Sequence, residues 1–148
     1  SEIEKIDNNR AIAKYTPKRP FVGKDTLVFV VSDDAGQDEG KVEIDVKNVP
    51  PGTINLPIQP SYNEGEEITF TVTANDPGGN QQLTYQWDFG DGSLVVESPR
   101  NEEVHTYADH GKYTLTLQVK DMFNGESEKR YSITVKNVAP TIISPLTV

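Results

Sequence analysis

Four stretches of this chain place an apolar side chain at every second residue, and that spacing decides most of what the chain can become. Ile68, Phe70, Val72 and Ala74 alternate with Thr69, Thr71 and Thr73. Tyr85, Trp87 and Phe89 alternate with Gln86 and Asp88; Tyr113, Leu115, Leu117 and Val119 with Thr114, Thr116 and Gln118; Tyr131, Ile133 and Val135 with Ser132 and Thr134. Successive side chains on a strand point to opposite faces, so each stretch offers one apolar and one polar face. Thr, Val and aromatic residues suit a pleated, half-buried surface. Turn-forming runs separate the stretches: Asp76-Pro77-Gly78-Gly79, Gly90-Asp91-Gly92, and Asn124-Gly125, which reads as a two-residue hairpin turn. No segment sustains a helical period. Short antiparallel strands at this spacing predict an all-β sandwich.

The chain also repeats itself. VKNVPP at 46–51 recurs as VKNVAP at 135–140, and GKDTLVFVVSD at Gly23–Asp33 aligns without gaps on GKYTLTLQVKD at 111–121. The offsets, 89 and 88 residues, match one sandwich domain. Residues 1–49 therefore read as the C-terminal half of one repeat, 50–138 as a whole one, and 139–148 as a linker and the start of a third. The proline-containing junctions lock φ and remove donors, so they should run extended and restrict the angle between units.

EGEEITFTVTANDP, LTYQWDFGDGS, VHTYADHGKYTLTLQVKD and the closing YSITVKNVAP together resemble the polycystic kidney disease (PKD) repeat over essentially all of 50–138. The resemblance implies an immunoglobulin-like sandwich, one module of a string, in an extracellular protein. The earlier run YTPKRPFVGKDTLVFVVSD is similar to bacterial cadherin-like tandem repeats, over half a domain.

Asp88 and Asp91 could be a catalytic pair, a metal site or a strand end with its turn. Trp87 shares a face with Tyr85 and Phe89, so the indole should lie in the core while Asp88 points away. Gly90 and Gly92 permit backbone angles that a side chain forbids, and turn aspartates such as Asp91 hydrogen-bond local amides. A carboxylate-pair hydrolase needs two groups converging on one cleft, and the sequence supplies no wall for one. Asp109, Gly111 and Tyr113 resemble the tyrosine corner, which puts Leu115 in the core beside Trp87 and opposite Phe70 or Val72. His105, ahead of Thr106 and Tyr107 in the repeat's motif, should be a hydrogen-bonded structural residue, and His110 a solvated one.

The absence of cysteine removes disulfide and thiol chemistry. A net charge of −9 argues against nucleic acid and anionic membrane as partners, and no apolar run is long enough to insert in a bilayer. Two histidines without cysteine make no zinc site. Calcium is the candidate cation: Asn48, Asn75, Asp76 and Asp121 belong to loops that share one pole of an immunoglobulin-like sandwich, and some PKD-like modules of secreted collagenases hold a calcium near the linker. No cofactor is otherwise required. Met122 and Phe123 should pack at that pole on Val49 and the prolines.

Residues 1–49 predict three strands, 11–16, 25–32 and 41–47. Leu27, Phe29 and Val31 face one way and Val28 and Val30 the other, which demands cover on both faces. Such a segment should be less ordered than 50–138, or lean on another chain through open edges. The expected function is a non-catalytic spacer and interaction module of a multi-repeat bacterial or archaeal surface protein, in adhesion or S-layer architecture. Its partners would be neighbouring repeats, other surface proteins or polysaccharide, and its signal peptide and anchor would lie outside this piece. The alternative is an accessory module of a secreted hydrolase of protease, collagenase or chitinase type, engaging a polymer through exposed aromatics such as Tyr62 and Phe123.

Overall fold

The computed structural model describes residues 2–7, 10–79 and 82–141, with side chains from residue 12 onward. Every regular element among them is a strand, and no helix is long and apolar enough to cross a membrane. The chain divides into two compact units, residues 1–49 with 78–81, and residues 50–77 with 82–148. Most of the predicted start of a third unit, 142–148, lies outside the described residues.

Among the described residues the first unit holds four strands rather than three, arranged as two hairpins. β1 (Glu2–Asp7) pairs antiparallel with β2 (Arg10–Lys14), and β3 (Gly23–Asp33) with β4 (Gly36–Val46). β1 escapes prediction because its two isoleucines, Ile3 and Ile6, are three residues apart and show no period of two. The β3–β4 turn is tight. Asp33 pairs with Gly36, and the Asp33 Oδ1 accepts the amides of Ala35 at 2.8 Å and Gly36 at 3.0 Å.

The second unit is an immunoglobulin-like β-sandwich. Its strands are β5 (Ile54–Asn55), β6 (Tyr62–Asn63), β7 (Ile68–Thr71), β8 (Thr73–Ala74), β9 (Thr84–Asp88), β10 (Val96–Ser98), β11 (Glu102–His105), β12 (Gly111–Lys120) and β13 (Glu126–Lys136). One layer is a five-stranded sheet in the order β10-β9-β12-β13-β6, antiparallel except where Val135 and Tyr62 begin the parallel β13–β6 pair. The other layer comprises the pairs β11–β7 and β5–β8. Between β7 and β8 the ladder breaks at Val72, and Asn101 replaces it. Its carbonyl accepts the Val72 amide at 2.9 Å and its Nδ2 donates to the Val72 carbonyl at 3.0 Å.

The alternating stretches fill the space between the layers. Trp87, Phe70, Phe89, Tyr107, Leu115, Leu117, Val72, Val119 and Ile133 are fully buried. One turn differs from expectation. Asn124-Gly125 is not a two-residue hairpin turn, because β12 and β13 stop pairing at Lys120 and Glu126 and leave residues 121–125 as the loop. The cause is Asp121, whose Oδ1 captures the amides of Phe123 and Gly125, both at 2.8 Å, while Asn124 takes a positive φ of 62°.

Candidate functional site

The Trp-Asp-Phe-Gly-Asp-Gly stretch closes β9. Trp87 and Phe89 point inward and Asp88 outward, as the alternation requires. Among the described residues the Trp87 Nε1–H has no hydrogen-bond partner, so the indole serves through the area it buries. The Asp88 Oδ1 accepts the Gly90 amide at 2.9 Å, and the Asp91 Oδ1 accepts the Ser93 amide at 3.0 Å. The second Asp91 oxygen lies 2.8 Å from His105 Nε2, and both side chains are largely covered. Burial pushes the Asp91 carboxyl up. The hydrogen bonds from Ser93 and His105, with the histidine's charge, outweigh that and hold it below the usual carboxylate range.

The His105 ring lies flat on Phe89, centroids 3.8 Å apart, and Tyr107 stands edge-on to both. The Tyr107 hydroxyl donates to the Phe89 carbonyl at 3.2 Å, and burial raises its pKa far above the ordinary tyrosine value. Asp88 and Asp91 are therefore turn-makers, each turned to nearby amides. The sequence places His105 in a structural role but does not reveal its partner, because 14 residues separate the pair.

Tyr113 forms the expected corner, its hydroxyl donating to the Asp109 carbonyl at 2.8 Å while its ring stacks on Tyr107. Gly111 opens β12 opposite Val135. Leu115 is fully buried in one core with Phe70 and Val72, but the residue directly across from Trp87 is Leu117. His110 is exposed as expected, and its amide also donates to Glu64 Oε2 at 2.9 Å.

Two of the four proposed cation ligands, Asn75 and Asp121, accept backbone amides. The Asn75 Oδ1 accepts the Thr53 amide at 2.9 Å and its carbonyl accepts the Gly52 amide at 2.7 Å. Asp121 is buried and caps its own loop, Asp76 is half-buried, and Asn48 is half-buried in the other unit. Among the described residues no group of three or more His, Asp and Glu side chains could hold a metal ion. Met122 is 56% exposed and Phe123 is half-buried. Tyr62 is not an exposed aromatic: it is 6% exposed, edge-on to Phe70, with its hydroxyl accepting the Gln59 amide. Its place opposite Val135 on the parallel edge of the sheet turns it inward.

Both ends of the sandwich are tied to its body by side chains. On β13, Ser127, Lys129 and Tyr131 lie two residues apart and share a face. Ser127 Oγ donates to the Pro51 carbonyl at 2.6 Å, and Lys129 Nζ to the Ile54 carbonyl at 3.0 Å. The Tyr131 hydroxyl donates to the Ile54 carbonyl at 3.3 Å and accepts the Leu56 amide at 3.1 Å. At the far end, Glu64 Oε1 accepts the Val138 amide at 2.8 Å, in the VKNVAP junction itself. That bond from Val138 is the main cause of a lowered Glu64 pKa. Burial opposes it, and the His110 amide and ring add to it. In sequence Glu64 is one acid of an Asn-Glu-Gly-Glu-Glu turn, and nothing marks it out.

Residues 48–135 match the family described as the PKD domain. The chain is 35% identical over 71 residues to Collagenase ColA of Bacillus cereus, a match that covers 48% of this chain and 7% of the collagenase. Among solved structures, the PKD domain of an M14-like peptidase from a Thermoplasmatales archaeon matches with a TM-score of 0.50 and 26% identity, covering 60% of this chain and 97% of that one. A structure of carbohydrate-binding modules from the β-sandwich superfamily matches at 0.55 and 26%, covering 62% of this chain and 36% of that one.

Proposed function

The chain belongs to the PKD domain family, and from that premise we propose that residues 50–138 act as a non-catalytic spacer and interaction module in an extracellular protein built of several such units. The observation that carries this is the pair of clamped ends. A spacer transmits orientation only if its terminal segments move with its body. Here residues 51–56 are held by Asn75, Ser127, Lys129 and Tyr131, and Val138 is held by Glu64. Backbone ¹⁵N relaxation tests it. The amides of Thr53, Leu56 and Val138 should tumble with the sandwich core, and amplitudes at those positions typical of a free tail would overturn the proposal. The scaffold needs no cation in this reading, so the melting temperature in EDTA should equal that in millimolar-range calcium, and a higher value in calcium would reveal a bound ion.

A second reading, an accessory module that engages a polymer for a secreted hydrolase, draws on the likeness to a collagenase and to a peptidase's PKD domain. Polymer capture by stacking needs a row of exposed aromatic rings. The large apolar side chains exposed on the described part of the sandwich, such as Ile58, Leu94, Val95, Val104 and Met122, are aliphatic or Met. Co-sedimentation separates the two readings. The chain should stay in the supernatant over insoluble collagen and chitin, and pelleting with either would favour the accessory role.

A further inference from the structure

Residues 23–46 and 111–135 are two copies of one hairpin, and the structure carries the likeness to the level of register. Gly23 stands opposite Val46 as Gly111 stands opposite Val135, and Leu27 opposite Val42 as Leu115 opposite Tyr131. The turn aspartate is kept: Asp33 accepts two loop amides, as Asp121 does. Leu27, Phe29 and Val31 thus occupy the positions of Leu115, Leu117 and Val119. In the sandwich those three are 0% exposed, and the second edge of β12 carries β9, with Trp87 across from Leu117. In the first unit, among the described residues, β3 pairs only with β4, and Phe29 is 39% and Val31 62% exposed.

The two edges of this hairpin differ. Charged residues blunt an edge strand against further pairing. β4 carries Asp38, Glu39, Lys41, Glu43 and Asp45, whereas residues 26–32 of β3 contain no charge. The Phe29 ring lies over Gly40 across the ladder, where a Cβ would fall 2.2 Å from it.

We propose that β3 is an acceptor strand. Its occupant is an extended segment of β9 chemistry, with large aromatic or apolar side chains at alternate positions, supplied by the repeat of which residues 1–49 read as the C-terminal half. It adds antiparallel to the free edge of β3 and lays its apolar side chains over Leu27, Phe29 and Val31. Backbone hydrogen bonds supply the affinity and alternate side chains the selectivity.

The test is a titration of the ¹⁵N-labelled 148-residue chain with a synthetic peptide of the sequence at 82–93, at about 1 mM, the effective concentration of a closely linked neighbour. The expected result is shift changes confined to residues 26–32 and a rise in their hydrogen-exchange protection of at least about tenfold. Both should vanish for a peptide with serine at the positions of Trp87 and Phe89, and for the chain variant Val31→Lys. Perturbation at residues 38–46 instead, or none at this concentration, overturns the proposal. So does protection of residues 26–32 that rises with chain concentration without peptide, which would make a second copy the occupant.

Discussion

Gly90 and Gly92 both sit at positive φ, 73° and 86°, but only one has a neighbour in the way. A Cβ on Gly90 would lie 2.3 Å from the Thr114 carbonyl oxygen, whereas one on Gly92 would meet nothing within 4 Å. The left-handed conformation costs an L-residue roughly 1–2 kcal/mol. Gly92→Ala should therefore cost about 1 kcal/mol and Gly90→Ala about 2–4 kcal/mol, since the backbone of β12 must also shift. Urea denaturation of the two variants checks the ratio. Asp91, between them, gives a pH dependence. Its folded pKa is lowered, so the stability it contributes is present above the unfolded value of about 3.9 and is lost as pH falls through the folded value. Asp91→Asn keeps an oxygen for the Ser93 amide but loses the charge facing His105. The variant should be less stable than wild type at pH 7, and the gap should close as pH falls below about 4. Urea midpoints over that range measure it.

The strands themselves were legible because burial on one face writes a period of two into the sequence, and Tyr85-Trp87-Phe89 and Leu115-Leu117-Val119 show it plainly. Elements held by other means left no such trace. β5 and β6 are two residues long, too short for a period. The approach to β5 depends on three polar groups of β13; Tyr131 is legible only as a member of the apolar alternation, and nothing in the sequence marks Ser127 and Lys129 as its companions. The loop after β12 followed Asp121 rather than Asn124-Gly125, because a buried carboxylate that takes two amides outweighs the local preference of the pair. The β13 contacts can be weighed. Tyr131→Phe removes one hydroxyl that both donates to the Ile54 carbonyl and accepts from the Leu56 amide, and leaves the half-buried ring in place. The loss should be about 1–2 kcal/mol. Hydrogen exchange at Leu56 should accelerate by more than the global change accounts for, while exchange at Leu117 should track global stability.

At the scale of the whole molecule, the division near residue 50 was readable, since an internal repeat offset by about 88 residues needs no three-dimensional knowledge. How a junction is held was not. Glu64 lies 74 residues from Val138, and a carboxylate at that separation can be assigned only once the fold closes around it. Its lowered pKa means that the Val138 bond persists above the ordinary carboxylate range and is lost as pH falls through the folded value. Glu64→Ala should leave the melting of the sandwich nearly unchanged, because the carboxylate fixes a terminal segment rather than the core. The same change should lower the ¹⁵N–¹H heteronuclear NOE of Val138 toward values typical of a mobile segment. Wild type should show the same loss on acidification, and Glu64→Ala should show no further change there. If the Val138 amide stays as rigid in Glu64→Ala as in wild type, residues 137–140 owe their order to proline stiffness and not to the carboxylate.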